Sequence, residues 1–490
     1  MLFNSLQYGV FLLVVILVYF HVPAKIRWAV LLAASYYFYM SWNPELILLI
    51  LFTTAVSYAC ARKVEREGDP KRKKQWLAAG NLLCLACLFF FKYFNFVSEN
   101  VTALLRALSL PVGDFTLGVL LPVGISFYTF QTLSYIVDVY RGDLPAERHF
   151  GYYALYVSFF PQLVAGPIER AADLLPQLRE TRRFDKDRAV EGARIIVIGL
   201  FKKIVVADML AETVNRVYNN LQAYDSIPVL VATLFFAMQI YCDFSGYSDI
   251  AVGSAKILGI ELMTNFRSPY YARSIKEFWR RWHISLSGWF TDYVYIPLGG
   301  SRVAPARRRF NLLVVFLCSG LWHGASWTFV LWGLYHGVLS VMELYTQPVI
   351  DRTLARMKGR ICRALFQSAR VAVTFALVCF SWILFRANSL PDLAYAVTHL
   401  FSGFTVGFAG LTAAFKAMDL TRAALAFDLA AVGVVWVWDW FARRESPIAS
   451  LQRRGFFARN AATWLLAFCV LLRLFTAANL SAADFIYFQF

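Results

Sequence analysis

Asn311 to Trp332 reads NLLVVFLCSGLWHGASWTFVLW, a run with no charged residue and one histidine, His323. At 1.5 Å per residue a helix of that length spans roughly 33 Å, enough to cross the hydrocarbon of a bilayer. An imidazole in such a run is costly unless it is hydrogen-bonded or lines a cavity, so His323 reads as functional. Gly320 and Gly324 flank it, with Trp322 beside it. Two readings of the glycines stand: close helix packing, or room for a thin acyl chain next to the imidazole.

The same texture extends in both directions. Of 490 residues, 59% are hydrophobic and 16% charged, where a soluble domain carries about a quarter charged. Apolar runs at 7–20, 28–42, 44–61, 76–94, 118–140, 151–165, 192–212, 228–250, 310–330, 331–346, 368–386, 424–441 and 461–479 predict an all-α polytopic membrane protein. Some are short or polar, so roughly 11 crossings are expected, plus interfacial or re-entrant helices. The whole chain, 1–490, reads as one transmembrane domain, with its core motifs at about 118–345 and C-terminal helices at about 368–490. The net charge of +17 collects in loops, Arg62 to Lys74, Arg179 to Lys203, Arg302 to Arg309, Arg352 to Arg370 and Arg443 to Arg459. That is the placement of cytoplasmic loops meeting anionic lipid, and it excludes nucleic acid as the partner. Counting back from the first basic loop puts the N-terminus outside. Gly9 to Phe20 has no cleavage site after it and reads as the first span.

Cys84 and Cys87 form a CxxC inside hydrocarbon-like sequence with no second pair, so no metal site is expected. GxSxG, Walker A, GxGxxG, HExxH and HxxxxD patterns are absent. Ser274 to Phe290 (SIKEFWRRWHISLSGWF) spaces Trp279, Trp282, His283, Leu286 and Phe290 at helical intervals, which predicts one helix at the membrane surface with His283 turned away from water. His336 stands 13 residues after His323; in one continuous helix it lies ~20 Å further on, so the two share a site only if the helix breaks. His21, His149 and His399 fall in loops or span ends. Tyr241 to Ile260 carries Asp243, Asp249 and Lys256 in an apolar, Gly/Ser-rich context, where charges need a wet cavity or each other.

Phe278 to Arg302 (FWRRWHISLSGWFTDYVYIPLGGSR) followed by Ser319 to Gly337 (SGLWHGASWTFVLWGLYHG) resembles the membrane-bound O-acyltransferase (MBOAT) family, in particular its bacterial alginate O-acetylation and teichoic-acid D-alanylation branch. Leu121 to Gly142, Phe159 to Arg170, Tyr241 to Gly253 and the terminal FIYFQF (Phe485 to Phe490) carry the likeness further, while residues 347 to 480 match by hydropathy only. The resemblance implies a ring of tilted helices around a central tunnel, a catalytic histidine at His323 and a second family position at His283. It implies an O-acetyltransferase of the bacterial inner membrane that draws acetyl groups from cytoplasmic acetyl-CoA, with no bound cofactor or metal. An exported SGNH-type acetyltransferase and the polysaccharide synthesis machinery are the expected partners. Arg280, Arg281, Arg302 and Trp282 are candidate contacts for the donor, and Gly320, Gly324, Trp322, Asp243 and Asp249 candidate tunnel or support residues. A transporter of lipid-linked sugars and a non-catalytic scaffold are the competing classes. The acceptor polymer and the donor's acyl length are not readable from these residues.

Overall fold

A computed structural model describes residues 1–118, 121–164, 166–402, 407–443 and 456–476. All regular elements among the described residues are helical. The terminal FIYFQF and most of the basic loop Arg443 to Arg459 lie outside them. Among the described residues, five helices are long and apolar enough to cross a membrane: Pro44–Arg66, Pro70–Ala107, Ser226–Leu258, Arg360–Arg386 and Arg422–Ala442. Together with shorter apolar helices at Leu6–His21 and Asn460–Thr476, they make the chain an all-α polytopic membrane protein.

The chain divides into two compact units. The first holds Met1–Ile196 and Ser248–Met263, the second Val197–Tyr247 and the residues from Thr264 on. In the first unit, α1 (Leu6–His21), α2 (Arg27–Met40), α3 (Ile47–Arg66) and α4, whose Pro70–Leu88 and Phe94–Ala107 are joined by a π-turn, precede α5 (Ile125–Arg141). The expected span at 151–165 is instead two pieces, α6 (Phe150–Ser158) and α7 (Phe160–Leu163). Phe159 (φ −52°, ψ 110°) leaves the helix between them, and Pro161 opens α7 where a missing N–H costs nothing. Neither piece is long enough to cross. Helices α8 (Ala171–Arg179) and α9 (Lys186–Leu200) follow. Between α7 and α8, outside the spanning helices, buried Glu169 accepts the Met263 N–H at 2.7 Å. Burial pushes its carboxyl up to about 7, with the Met263 N–H pulling the other way.

A seven-residue π-turn, Phe201–Ala207, leads into α10 (Asp208–Tyr218). Helix α11 (Ser226–Leu258) contributes residues to Tyr247 to the second unit and its last turns to the first. In its most apolar window, 83% of the residues are buried inside the protein. The three charges of Tyr241 to Ile260 therefore have protein partners. Asp243 pairs with Lys203 of the π-turn at 2.5 Å. Lys256 pairs with Glu191 at 3.0 Å and Glu261 at 3.6 Å, and Asp249 is half-buried in the first unit.

The second unit continues with α12 (Ile275–Trp279), α13 (Ile284–Phe290), α14 (Pro305–His323), α15 (Trp327–Arg356), α16 (Arg360–Arg386), α17 (Leu390–His399), α18 (Phe408–Ala417), α19 (Arg422–Ala442) and α20 (Phe456–Thr476). Two expectations change here. The single surface helix over 274–290 is broken at Arg280 to His283, and Phe278, Trp282, Leu286 and Phe290 are buried in protein rather than laid on lipid. The boundary placed between 330 and 331 falls instead at Gly324 to Ser326.

Candidate active site

The site grows from the α14–α15 hairpin. Pro305 starts α14, and Gly324 ends it in an extended conformation (φ −161°, ψ 152°). Ser326 then caps α15 by accepting the Thr328 N–H at 3.3 Å. The two helices touch through glycine. A Cβ on Gly320 would lie 2.3 Å from the Phe329 carbonyl oxygen, and one on Gly333 2.4 Å from that of Phe316. A Cβ on Gly324 would meet the Phe329 ring at 2.2 Å. Of the two readings of the glycines this favours close packing: where a side chain would project from Gly320 or Gly324, α15 already fills the space.

Packing at that distance places His323, the last residue of α14, in an aromatic cage. Its ring is edge-on to Trp322 and Trp332, each at 4.9 Å, and to Phe385 at 5.3 Å. It is 4% exposed. His283 also touches Trp322, with ring centroids 5.9 Å apart, and packs against Phe244 at 4.6 Å. The two imidazoles thus share one indole as a neighbour.

His283 reaches this place through an uncommon backbone. It caps α13 in the left-handed region (φ 44°, ψ 57°), which costs a non-glycine residue of order 1–3 kcal/mol and clusters at functional sites. Neighbouring chain holds it there. The Ile284 N–H donates to the Asn265 carbonyl at 3.0 Å, and the Ser285 hydroxyl donates to the Asn265 side-chain oxygen at 2.7 Å. On the near side, the Arg267 N–H donates to the Arg281 carbonyl at 2.9 Å. Asn265 carried no recognisable signal in the sequence, being one polar residue in a short irregular segment.

His336 is the third buried imidazole. The break at Gly324 to Ser326 folds α15 back along α14, so the condition for the two histidines to meet is fulfilled. Trp332 lies 4.9 Å from His323 and 4.9 Å from His336.

A cavity of about 760 Å³ adjoins this cluster, lined by Lys276, Trp279, Arg280, Arg308, Ser319 and Glu343 among others. Along α14 it runs from Arg308 to Ser319, roughly 16 Å of helix. His323 is one turn past Ser319 and does not itself line the cavity. Of the arginines expected to meet a donor, Arg280 lines it. Arg281 is paired with Glu277 at 2.6 Å, and exposed Arg302 lies outside it, as does buried Trp282. Arg308 and Lys276, not singled out in the sequence, supply positive charge there instead. Asp243 is held by Lys203, which also binds Asp208 at 2.9 Å, and serves that buried ion cluster. Among the described residues no three His, Cys, Asp or Glu side chains gather as a metal site.

The pattern of the membrane-bound O-acyltransferase family matches residues 144–383. The chain is similar to the protein named "Probable alginate O-acetylase AlgI" of Azotobacter vinelandii, 39% identical across 79% of this chain and 76% of the relative. It is similar to the peptidoglycan O-acetyltransferase of Helicobacter pylori, 36% identical over 74% and 71% of the two chains. The teichoic acid D-alanyltransferase of Bacillus subtilis is 29% identical over 54% of this chain and 69% of its own.

Proposed function

Because the chain belongs to the membrane-bound O-acyltransferase family, we propose that it passes acetyl groups from cytoplasmic acetyl-CoA across the bacterial inner membrane for O-acetylation of an extracytoplasmic polysaccharide such as alginate. The enzyme class, a membrane O-acyltransferase, follows from the family and from relatives named for acyl transfer. Donor, partner and orientation are this proposal's own. The chain acts as one catalytic domain with its N-terminus outside, working with an exported SGNH-type acetyltransferase and polysaccharide synthesis machinery.

The observation that carries the reading is the cavity ending one turn from a caged imidazole. Lys276, Arg280 and Arg308 line it. The Arg308 Nε is buried with no hydrogen-bond partner among the described residues, which suits a phosphate oxygen. The donor's flexible arm then follows α14 toward Ser319, bringing the thioester to His323. The imidazole takes the proton of an acceptor hydroxyl as its oxygen attacks the thioester carbonyl. The C–S bond breaks, and the thiolate of CoA leaves and takes up the proton. His283, which touches the same Trp322 ring, orients the donor.

His323→Ala in protein that still reaches the membrane abolishes polymer acetylation; near-normal acetylation defeats the assignment. Release of free CoA by purified protein supplied with acetyl-CoA and an acceptor separates an enzyme from a transporter or a scaffold, neither of which consumes the thioester.

A further inference from the structure

We propose that the inner end of the cavity carries a hydrogen-bonding subsite, built from Trp279 and His336, for a secondary amide of the donor's flexible arm. The inference rests on the donor reading above and assigns residues that the transfer step does not use.

His336 is fully buried, and both its ring nitrogens lack a hydrogen-bond partner among the described residues. The Trp279 indole N–H is likewise buried and unmatched. The two rings meet edge to face at 4.9 Å and 81°. Buried polar groups are nearly always satisfied, and each exception asks for an explanation such as a missing ligand. Packing does not supply one. His336 lies parallel to Phe278, 7° between planes at 6.4 Å, and is bordered by Phe316 at 6.1 Å. A phenyl ring would fill that slot without leaving any polar atom dry.

The location points to the cavity. His336 is not itself a lining residue, but Trp279 and Phe316, both pressed on it, line the cavity, as does Ser340, one turn further along the same helix. The chemistry points to an amide. An indole offers only a donor, and a neutral imidazole offers one acceptor and one donor. A secondary amide presents the complement, its carbonyl to Trp279 Nε1–H and its N–H to a His336 nitrogen. Neither side chain carries the positive charge a phosphate would need. The pantetheine arm of CoA contains two such amides a few bonds from the sulfur, so an amide held here leaves the thioester at the His323 end.

The test uses the full-length protein in nanodiscs. Binding is measured by calorimetry with CoA, and with adenosine 3′,5′-bisphosphate, which keeps the nucleotide but lacks the arm. His336→Phe is expected to hold or raise the melting temperature, weaken CoA binding about tenfold and leave bisphosphate binding unchanged. Trp279→Phe, which keeps a ring and loses the N–H, behaves the same way, and His336→Gln recovers part of the loss. The donor KM rises in the Phe variants while kcat stays near wild type. CoA affinity equal to wild type in both Phe variants overturns the subsite and leaves the proposed function standing. An equal loss for the bisphosphate also overturns it, since the defect is then not in the arm. Wild-type protein that binds no CoA removes both the donor reading and the subsite.

Discussion

Replacing Gly320 with alanine tests whether the glycine seam sets the catalytic geometry. The added Cβ would sit 2.3 Å from the Phe329 carbonyl oxygen and 3.1 Å from Gly333 Cα. A carbon–oxygen contact settles at about 3.3 Å or more, so α14 and α15 must part by about 1 Å. The obstacle is backbone on both sides and has no rotamer to yield. Overpacking of this kind costs about 1–3 kcal/mol, which the hairpin survives. The site does not, because His323 is three residues beyond the wedge and Trp332, part of its cage, is next to Gly333. A misplacement of about 1 Å costs on the order of a hundredfold in rate. The assay is CoA release from acetyl-CoA by purified protein, with melting temperature followed in parallel. Gly433→Ala is the control, since its Cβ meets nothing within 4 Å and the change should be neutral or stabilising by about 0.5–1 kcal/mol. Wild-type turnover in Gly320→Ala with an unaltered melting temperature refutes the reasoning.

Other outcomes follow from the same geometry. Arg308→Gln and Arg280→Gln should each raise the donor KM about tenfold, a loss of ~1.4 kcal/mol in a charge-assisted contact, whereas Arg302→Gln, outside the cavity, leaves it near wild type; equal effects at all three would remove the cavity as donor site. Asp243→Asn takes one carboxylate from the buried Lys203 cluster and should destabilise the protein by about 3–5 kcal/mol, read as a lower melting temperature in detergent. Glu169 gives a pH signature. Its folded pKa of about 7 lies above the ordinary 4.5, so the folded state holds the proton more tightly and stability falls as pH rises from about 4.5 to about 7. Glu169→Gln should flatten that part of the melting-temperature curve and be the more stable protein at pH 8; a wild-type slope retained in the variant places the titration elsewhere.

Hydropathy alone established the bilayer architecture, because long charge-free runs such as Ile47 to Ala61, inside the spanning helix Pro44–Arg66, have one inexpensive home and one way to satisfy their backbone there. Burial cost likewise singled out His323, since an imidazole in the charge-free run Asn311 to Trp332 asks for a reason wherever the chain turns. The breaks were not legible. Periodicity over Ser274 to Phe290 is as good as that of a continuous helix, and it is the preceding segment, with Asn265 fastened to Ile284 and Ser285 and Arg267 to Arg281, that holds His283 in the left-handed region. The same holds for α7, where the exit at Phe159 splits an apolar run too uniform to show it. Partnership was the other hidden quantity. Nothing local distinguishes Arg281, spent on Glu277, from Arg280 on the cavity wall, or says that Asp243 and Lys256 have different partners. Composition decides what must leave water, because transfer energy is a property of each residue. Which groups meet once they have left it depends on the relative placement of helices far apart in the chain, and that is decided by packing: glycines that let α14 and α15 touch, and a three-residue break that brings His336 back to the tryptophan beside His323.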